Sequence, residues 1–299
     1  MTESRIERSS ARAHYAHVLD QCRDMALIFC NGQLAELFEQ AGKALLAFAE
    51  RAQNDSMQGR FFEAMGAIQR QRSDMERAFR QDIGDGFENF GRMDPPSSQT
   101  GRYKGEKEDE VELSLVDPEE MEESVAAENL IIRANATYFP ELYALSQRLA
   151  VVNGGKSLKD YEIPTGPHHL VNAFRRSLGI LDIDVKVKVI LYALFDKFVV
   201  KEAKTIYDEY NSTLKAAGIL PNLKPVPLRT GTSGSRPAGK PATPKKTAQT
   251  ERPTAHGGPS EDAARPREMQ TGAALAEELF DAILDIMSTR RGGRTGGTR

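Results

Sequence analysis

Apolar side chains recur at helical spacing along two long segments, and this pattern limits the chain to a mainly helical fold. Asn54-Asp55-Ser56 separates the two segments, and Asn31-Gly32 predicts a kink or an end inside the first helix. The sequence therefore predicts a coiled-coil-like antiparallel helical hairpin over residues 10–91. Its apolar positions are Tyr15, Val18, Cys22, Met25, Phe29, Leu34, Leu37, Phe38, Ala41, Leu45 and Phe48, then Phe61, Met65, Ile68, Met75, Phe79, Ile83 and Phe90.

The stretch ELSLVDPEEMEE, residues 112–123, predicts the start of a second region, a compact helical domain over 111–221. Asp117 takes the N-cap position, Pro118 the first helical position and Glu120 the third, and acidic side chains favour the positive end of a helix. Val116 precedes the cap, where it is expected to pack as a hydrophobic staple against Met121 or its neighbours.

Turn-forming residues divide this domain into several helices. Pro140 predicts a kink or a new helix start, Asn153-Gly154-Gly155 predicts a stop, and Thr165-Gly166-Pro167 predicts another start. Residues 183–198, IDVKVKVILYALFDKF, fit both a strand and a helix; we interpret them as a helix because that pattern is longer and a lone strand would lack a partner. Ala217–Pro221 is expected to end the last helix.

The remaining segments are rich in Pro, Gly, Ser and charged residues. They predict an exposed acidic linker over 92–110, a disordered tether over 222–269 and a disordered tail over 290–299. Between the tether and the tail, residues 270–289 predict a terminal amphipathic helix, which needs a partner surface because a single short helix is marginally stable. The predicted fold class is all-α.

Charge and cysteine content predict the environment of the protein. The net charge of -3 gives no overall attraction to nucleic acid or an anionic membrane. Cys22 and Cys30 fall on one predicted helix, about 12 Å apart along its axis, which is too far for a disulfide between them. With no signal peptide and no apolar run that could span a membrane, the expected location is cytoplasmic.

Sequence motifs do not predict a catalytic, cofactor or metal site. His14 and His17, with Asp20 and Cys22 nearby, offer a weak metal hypothesis, against which solvated side chains are the favoured interpretation. His168 and His169 follow Pro167 at a helix start, where neutral imidazoles that cap or pack are expected.

The ordered segments LSLVDPEEMEE, ELYALSQRLAVVNGG, IPTGPHHLVNAFRRSL and VILYALFDKFVV, continuing to AAGILP, resemble the N-terminal part of a proteobacterial family of unknown function. The likeness covers residues 11–221. Members are often labelled thymidine phosphorylase, and long members are thought to end in a PilZ-like region that binds cyclic di-GMP. The resemblance therefore implies a link to cyclic di-GMP signalling, although the PilZ motifs RxxxR and D/NxSxxG are not recognisable here as an ordered pair.

The thymidine phosphorylase label implies a KxSxGG phosphate loop that opens a helix. The nearest Gly-rich stretches are residues 153–157, which are predicted to end a helix, and 230–234, which lie in the predicted tether. Carbonyl groups rather than amide groups would then face an anion at the first stretch. A nucleoside phosphorylase is thus the least favoured function.

The leading functional hypothesis is a non-catalytic, cytoplasmic interaction or regulatory protein that binds a protein partner or a second copy through its amphipathic helices. The alternative is a nucleic-acid-associated protein that makes weak nonspecific contacts through its basic tail. Arg175 and Arg176 are possible anion-binding residues. The predicted partner-binding residues are Phe61, Met65, Phe79 and Phe90 on the hairpin and Leu279, Ile283 and Ile286 on the terminal helix.

Overall fold

A computed structural model describes residues 15–90, 118–223 and 272–288, all of which belong to one compact unit. These residues form helices and no strand, which confirms the all-α prediction. The helices are α1 (Ala16–Glu50), α2 (Asp55–Glu88), α3 (Pro118–Thr137), α4 (Phe139–Val152), α5 (Pro167–Leu178), α6 (Val185–Phe195), α7 (Ala203–Ala216) and α8 (Gly272–Ser288), with a 3-10 turn at Asp160–Glu162 and a π-helical turn at Asp196–Val200.

Helix α1 contacts many of the other helices in the fold. It packs along α2, to which the short connection 51–54 joins it, and also contacts α6, the π-helical turn, α7 and α8. The side chain of Asn54 caps α2 by accepting a hydrogen bond of 2.8 Å from the backbone N–H of Met57. Because α1 lies among so many helices, the hairpin and the later helices share one apolar core.

The sequence predicted a kink or an end of the first helix at Asn31-Gly32, and the end is wrong. Helix α1 runs without interruption from Ala16 to Glu50. Glycine in a helix interior costs about 1 kcal/mol relative to alanine. The buried neighbours Cys30 and Leu34 hold this part of α1 against the core, and their burial exceeds that cost.

The helix starts predicted at Pro118, beside Pro140 and at Pro167, and the stop predicted at residues 153–155, are found in the structure. Helix α3 begins at Pro118, and a separate helix begins beside Pro140. Gly155 ends α4 in the left-handed conformation, with φ at 83°, and its N–H donates to the carbonyl of Ala150 at 2.8 Å. This 6→1 hydrogen bond is the Schellman arrangement that satisfies the last carbonyls of a helix.

Residues 185–195 form a helix, as predicted, and the strand interpretation is wrong. Apart from Lys186 and Lys188, every residue of α6 is buried. A helix that is apolar on most sides belongs in the interior, which explains why its sequence showed no clear amphipathic pattern. The π-helical turn follows directly, with the N–H of Lys201 donating to the carbonyl of Asp196 at 2.9 Å.

Several predictions concern residues that the structure does not describe. These are the acidic linker over 92–110, the cap and staple at Asp117 and Val116, the tail over 290–299, and the tether over 222–269 apart from its first two residues. In the described ranges, no helix combines the length and apolar character needed to cross a membrane.

Candidate interaction site: the groove that holds the last helix

Helix α8 lies in a groove formed by α1, α3 and α6, which we call the α8 groove. The side chains of Leu275, Leu279 and Ile286 are at most 1% exposed, so the apolar face of α8 is almost fully removed from water. Ile283 and Met287 are partly buried against the same core. The predicted terminal helix therefore exists and is covered by helices of its own chain.

Polar contacts line the rim of the α8 groove. Arg51, the residue directly after α1, pairs with Glu277 at 3.3 Å, and Lys197 of the π-helical turn pairs with Glu278. A third pair joins Arg133 of α3 to Asp285. In each pair the cation belongs to the groove and the carboxylate belongs to α8.

One buried hydrogen bond fixes the end of α8. The Nδ2 atom of Asn129 donates to the backbone carbonyl of Ile286 at 2.7 Å. The last four carbonyls of a helix have no partner within the helix, and an unpaired carbonyl in a buried position costs about 1–3 kcal/mol. Asn129 therefore binds the backbone at the end of α8, and this contact does not depend on the side chains of α8.

Arg133 also connects α8 to a buried carboxylate. Its Nη2 atom lies 2.8 Å from Oδ2 of Asp196, which is 3% exposed. Burial raises the pKa of Asp196, while the charges of Arg133 and Lys201 oppose that rise. Asp196 thus restrains Arg133 at the groove rim, because losing this partner would leave a buried charge unpaired.

The hairpin residues that the sequence predicts for partner binding are packed within the chain. Phe61, Phe79 and Phe90 are at most 6% exposed, and Met65 is half-buried. The Phe79 ring meets the Phe195 ring edge-on, with centroids 6.0 Å apart. The apolar face of α2 is covered mainly by α1 and α5, so the three phenylalanines offer almost no exposed surface.

Arg175 and Arg176, the predicted anion-binding pair, make contacts within the chain. Arg175 donates to the hydroxyl of Ser124 at 2.9 Å, and Arg176 pairs with Asp82 at 2.6 Å. Nearby lysines also have acidic partners: Lys188 lies 2.9 Å from Glu123, and the other pairs are Lys197–Glu278, Lys201–Asp196 and Lys204–Glu141. Each of these cations therefore has a polar or acidic partner within the chain.

A buried polar cluster around Thr165 was not predicted from the sequence. Thr165 has a φ of 60°, in the left-handed region, and is fully buried. Its N–H donates to Nδ1 of His169 at 2.9 Å, and its carbonyl and hydroxyl oxygens accept from Tyr207 and Tyr210 at 3.2 and 3.1 Å. These bonds satisfy the polar groups of a strained loop that precedes α5, and they connect this loop to α7.

His169 is the centre of this cluster and is neutral, as expected. Nε2 donates to the carbonyl of Asp82 at 3.0 Å, because Nδ1 is the acceptor from Thr165. Burial lowers the pKa of His169 to about 4. Burial also lowers the pKa of His168. His169 connects α5 to α2, is 8% exposed and has both ring nitrogens hydrogen-bonded within the chain, so its position indicates a packing role.

The metal hypothesis has little geometric support. His14 lies outside the described residues, His17 and Asp20 are exposed, and Cys22 is buried at 2% exposure. Among the residues that the structure describes, no three metal-binding side chains come together. A shallow pocket of about 220 Å³ lies nearby, lined by Ala16, Leu19, Asp20, Arg23, Phe87 and Glu88.

The fold and the α8 groove define an all-α protein that holds an amphipathic helix in a charged cleft. The chain belongs to the family described as protein of unknown function (DUF1631), N-terminal domain, whose model matches residues 14–218. This match confirms the resemblance to a family of unknown function. It gives no support for thymidine phosphorylase activity or for a PilZ-like region. No curated protein and no solved structure matches the chain.

Proposed function

We propose that this protein is a non-catalytic interaction module that binds amphipathic helices, and that α8 regulates it by occupying the binding groove. The observation that carries the proposal is the position of α8. The helix lies outside residues 14–218, whereas four groove residues that contact it through polar groups, Arg51, Asn129, Arg133 and Lys197, lie inside that range. The family domain therefore supplies the site and a later segment supplies the occupant.

The energetics support a helix that binds stably in the α8 groove and can also dissociate from it. Complete burial of a Leu or Ile side chain stabilises by about 1.5–3 kcal/mol, and Leu275, Leu279 and Ile286 are all buried. A helix of this length is only marginally stable alone. Because α8 is part of the same chain, its effective concentration at the groove is on the order of millimolar. A second helix with higher affinity could replace it.

Other proposals have less support. The nucleic-acid alternative depends on basic residues that lie outside the described ranges, including Lys240, Lys245, Arg290 and Arg291. The cyclic di-GMP link depends on the family resemblance alone. For a nucleoside phosphorylase, the nearest glycine-rich stretch ends α4 at Gly154 and Gly155, which is the wrong helix end for phosphate binding. A cytoplasmic location remains part of the proposal.

The test uses the full chain with a protease site inserted between residues 240 and 250. After cleavage, we expect the fragment that contains α8 to remain bound to the rest of the protein during size-exclusion chromatography. The substitution Leu279→Asp places a charge at a position of 0% exposure and should release the fragment. The neighbouring Phe280 is 55% exposed, so Phe280→Asp is the matched control and should retain the fragment.

Two outcomes would contradict the proposal. One is a wild-type fragment that separates from the domain immediately after cleavage, since the groove would then have no useful affinity for a helix. The other is equal retention of the Leu279→Asp and Phe280→Asp fragments, which would mean that the buried face of α8 does not hold it in place.

A further inference from the structure

The charges of α8 and its groove identify the kind of helix that the site accepts. Between Gly272 and Ser288 the helix carries Glu277, Glu278, Asp281 and Asp285 and no basic residue. Arg51, Lys197 and Arg133 contact three of these carboxylates from the groove side. We propose that the partner of this groove is an acidic amphipathic helix from another protein, which displaces α8. This inference rests on the proposed function.

The charged pairs contribute selectivity more than affinity. The α8 carboxylates are exposed to water, with side-chain exposures of 75% for Glu277, 48% for Glu278 and 64% for Asp285. Exposed ion pairs of this kind contribute about 0–1 kcal/mol each. A basic helix in the same position would instead place like charges together at three points. Such repulsion discriminates between partners and slows association of the wrong one.

Arg133 maintains the discrimination against basic helices because its side chain is held in place. Its contact with the buried carboxylate of Asp196 keeps the guanidinium at the groove rim whether or not an acidic partner is present. A basic helix could not simply push the side chain into another position, because Asp196 would then lose its closest cation. Arg133 therefore keeps its place at the rim toward every helix that enters the groove.

The remaining contacts define the spacing of the partner sequence. Apolar side chains are needed at positions equivalent to Leu275, Leu279 and Ile286. Acidic side chains are needed at positions equivalent to Glu277, Glu278 and Asp285. Asn129 binds a backbone carbonyl and so accepts any helix that ends at this depth. A helix of this pattern from another protein fits the groove in the way that α8 does.

A second copy of this chain is a weaker competitor for the groove. Its α8 has the same sequence as the tethered α8, which is already present at an effective concentration on the order of millimolar. An identical helix supplied by a separate molecule at micromolar concentration loses that competition. The full chain is therefore expected to be monomeric in multi-angle light scattering over the micromolar range, and a dimer that exchanges α8 between copies would overturn the assignment to another protein.

The direct test uses full-length protein with Leu279→Asp, in which we expect α8 to leave the groove, and labelled peptides as probes. One peptide copies residues 272–288; the other replaces its Glu277, Glu278, Asp281 and Asp285 with Lys and keeps every apolar residue. We expect the acidic peptide to bind at least tenfold more tightly at low salt, with a smaller difference at high salt because ions screen exposed charges. Equal or tighter binding of the Lys-substituted peptide would overturn the charge selectivity.

The same experiment separates this inference from the proposed function. If neither peptide binds a folded Leu279→Asp protein, the groove is not a helix-binding site and both proposals fail. If both bind equally, the groove binds helices but does not select acidic ones. Circular dichroism of the variant establishes that it is folded before the peptides are added.

A second measurement leaves Leu279 unchanged. Full-length protein with Glu277→Lys, Glu278→Lys and Asp285→Lys should show at least tenfold faster amide hydrogen exchange in α8 than the wild type. The control is Asp281→Lys, because Asp281 is exposed and pairs with no cation among the described residues. Equal protection of α8 in the triple variant and the wild type would also overturn the role of charge.

Discussion

At the scale of single residues, the tightest constraint is the approach of α2 to His169. A Cβ atom added to Gly86 would lie 2.0 Å from Cε1 of His169, well inside van der Waals contact. The imidazole cannot move away easily, because both of its nitrogens are hydrogen-bonded, to the N–H of Thr165 and the carbonyl of Asp82. Glycine is therefore required at position 86 because it has no side chain, even though this position lies inside a helix.

We predict that Gly86→Ala lowers the free energy of unfolding by about 3 kcal/mol, through overpacking and the loss of His169 hydrogen bonds. Urea unfolding followed by circular dichroism measures this change. Gly84 lies two residues earlier on the same helix, and a Cβ there meets nothing within 4 Å. Gly84→Ala should be neutral or stabilising by up to about 1 kcal/mol. Equal effects of the two substitutions would contradict the packing of His169 against α2.

The neutral state of His169 predicts a dependence of stability on pH. Its pKa is lowered from 6.5 to about 4 in the folded protein, so the unfolded chain binds a proton more readily than the folded one between these values. This contribution is fully present above pH 6.5 and is lost as the pH falls toward 4. Lowering the pH from 7 to 5 should therefore remove about 2 kcal/mol through this residue.

Urea titrations at pH 7 and pH 5 measure the effect, and His169→Gln serves as the comparison. The wild type should lose about 2 kcal/mol more than the variant between the two pH values, because glutamine does not titrate in this range. An equal loss in the two proteins would show that other groups determine the pH dependence and that His169 titrates normally.

At the scale of elements, α1 shows that apolar spacing predicts a helix, while its uninterrupted length depends on the helices packed around it. The apolar spacing predicted the helix, and tertiary packing kept it continuous through Asn31-Gly32. Cys22 and Cys30 both face the core on this helix, and burial raises the pKa of each thiol to about 12. A buried thiol with so high a pKa has almost no reactive thiolate near neutral pH.

We predict that both cysteines react at least a hundredfold more slowly with a thiol reagent at pH 8 in the native protein than after unfolding in guanidinium chloride. The release of thionitrobenzoate from Ellman's reagent gives the two rates. Ile28 is 74% exposed on the same helix, so Ile28→Cys supplies an accessible thiol for comparison. Native wild-type protein that reacts as fast as this variant would contradict the burial of the two cysteines.

At the scale of the whole molecule, the hairpin and the later helices share a core. Helix α2 packs on α5 as well as on α1, and the ring of Phe79 contacts Phe195 at the end of α6. A substitution in the hairpin should therefore weaken α3 to α7 as well. The same core holds one side of α8, which means that the groove exists only when both regions are folded together.

We predict that Phe79→Ala lowers the free energy of unfolding by about 3–5 kcal/mol, because it removes a side chain that is 1% exposed. Hydrogen exchange should show the loss of protection in α2 and in α6 together. Phe62, on the same helix, is 48% exposed, and Phe62→Ala should change stability by less than about 0.5 kcal/mol. Protection of α6 that is unaffected by Phe79→Ala would mean that the two regions fold independently.

The sequence by itself determined the all-α class, most helix boundaries and the family of the chain. Those features depend on local chemistry: apolar spacing, Pro at helix starts such as Pro118, and Gly at helix ends such as Gly155 and Gly218. The periodic pattern also showed which faces of α2 and α8 are apolar. Each of these signals is contained within a few neighbouring residues, which is why they could be read without a structure.

Only the tertiary structure decided what covers those faces. Phe61, Phe79 and Phe90 pack within the chain, and Leu279 and Ile286 enter a groove whose walls lie far away in sequence. The Arg133–Asp196 and Arg133–Asp285 contacts and the His169 cluster likewise join residues that no local pattern connects. Amphipathic spacing defines an apolar surface but carries no information about its partner, because burial is favourable against any surface that excludes water.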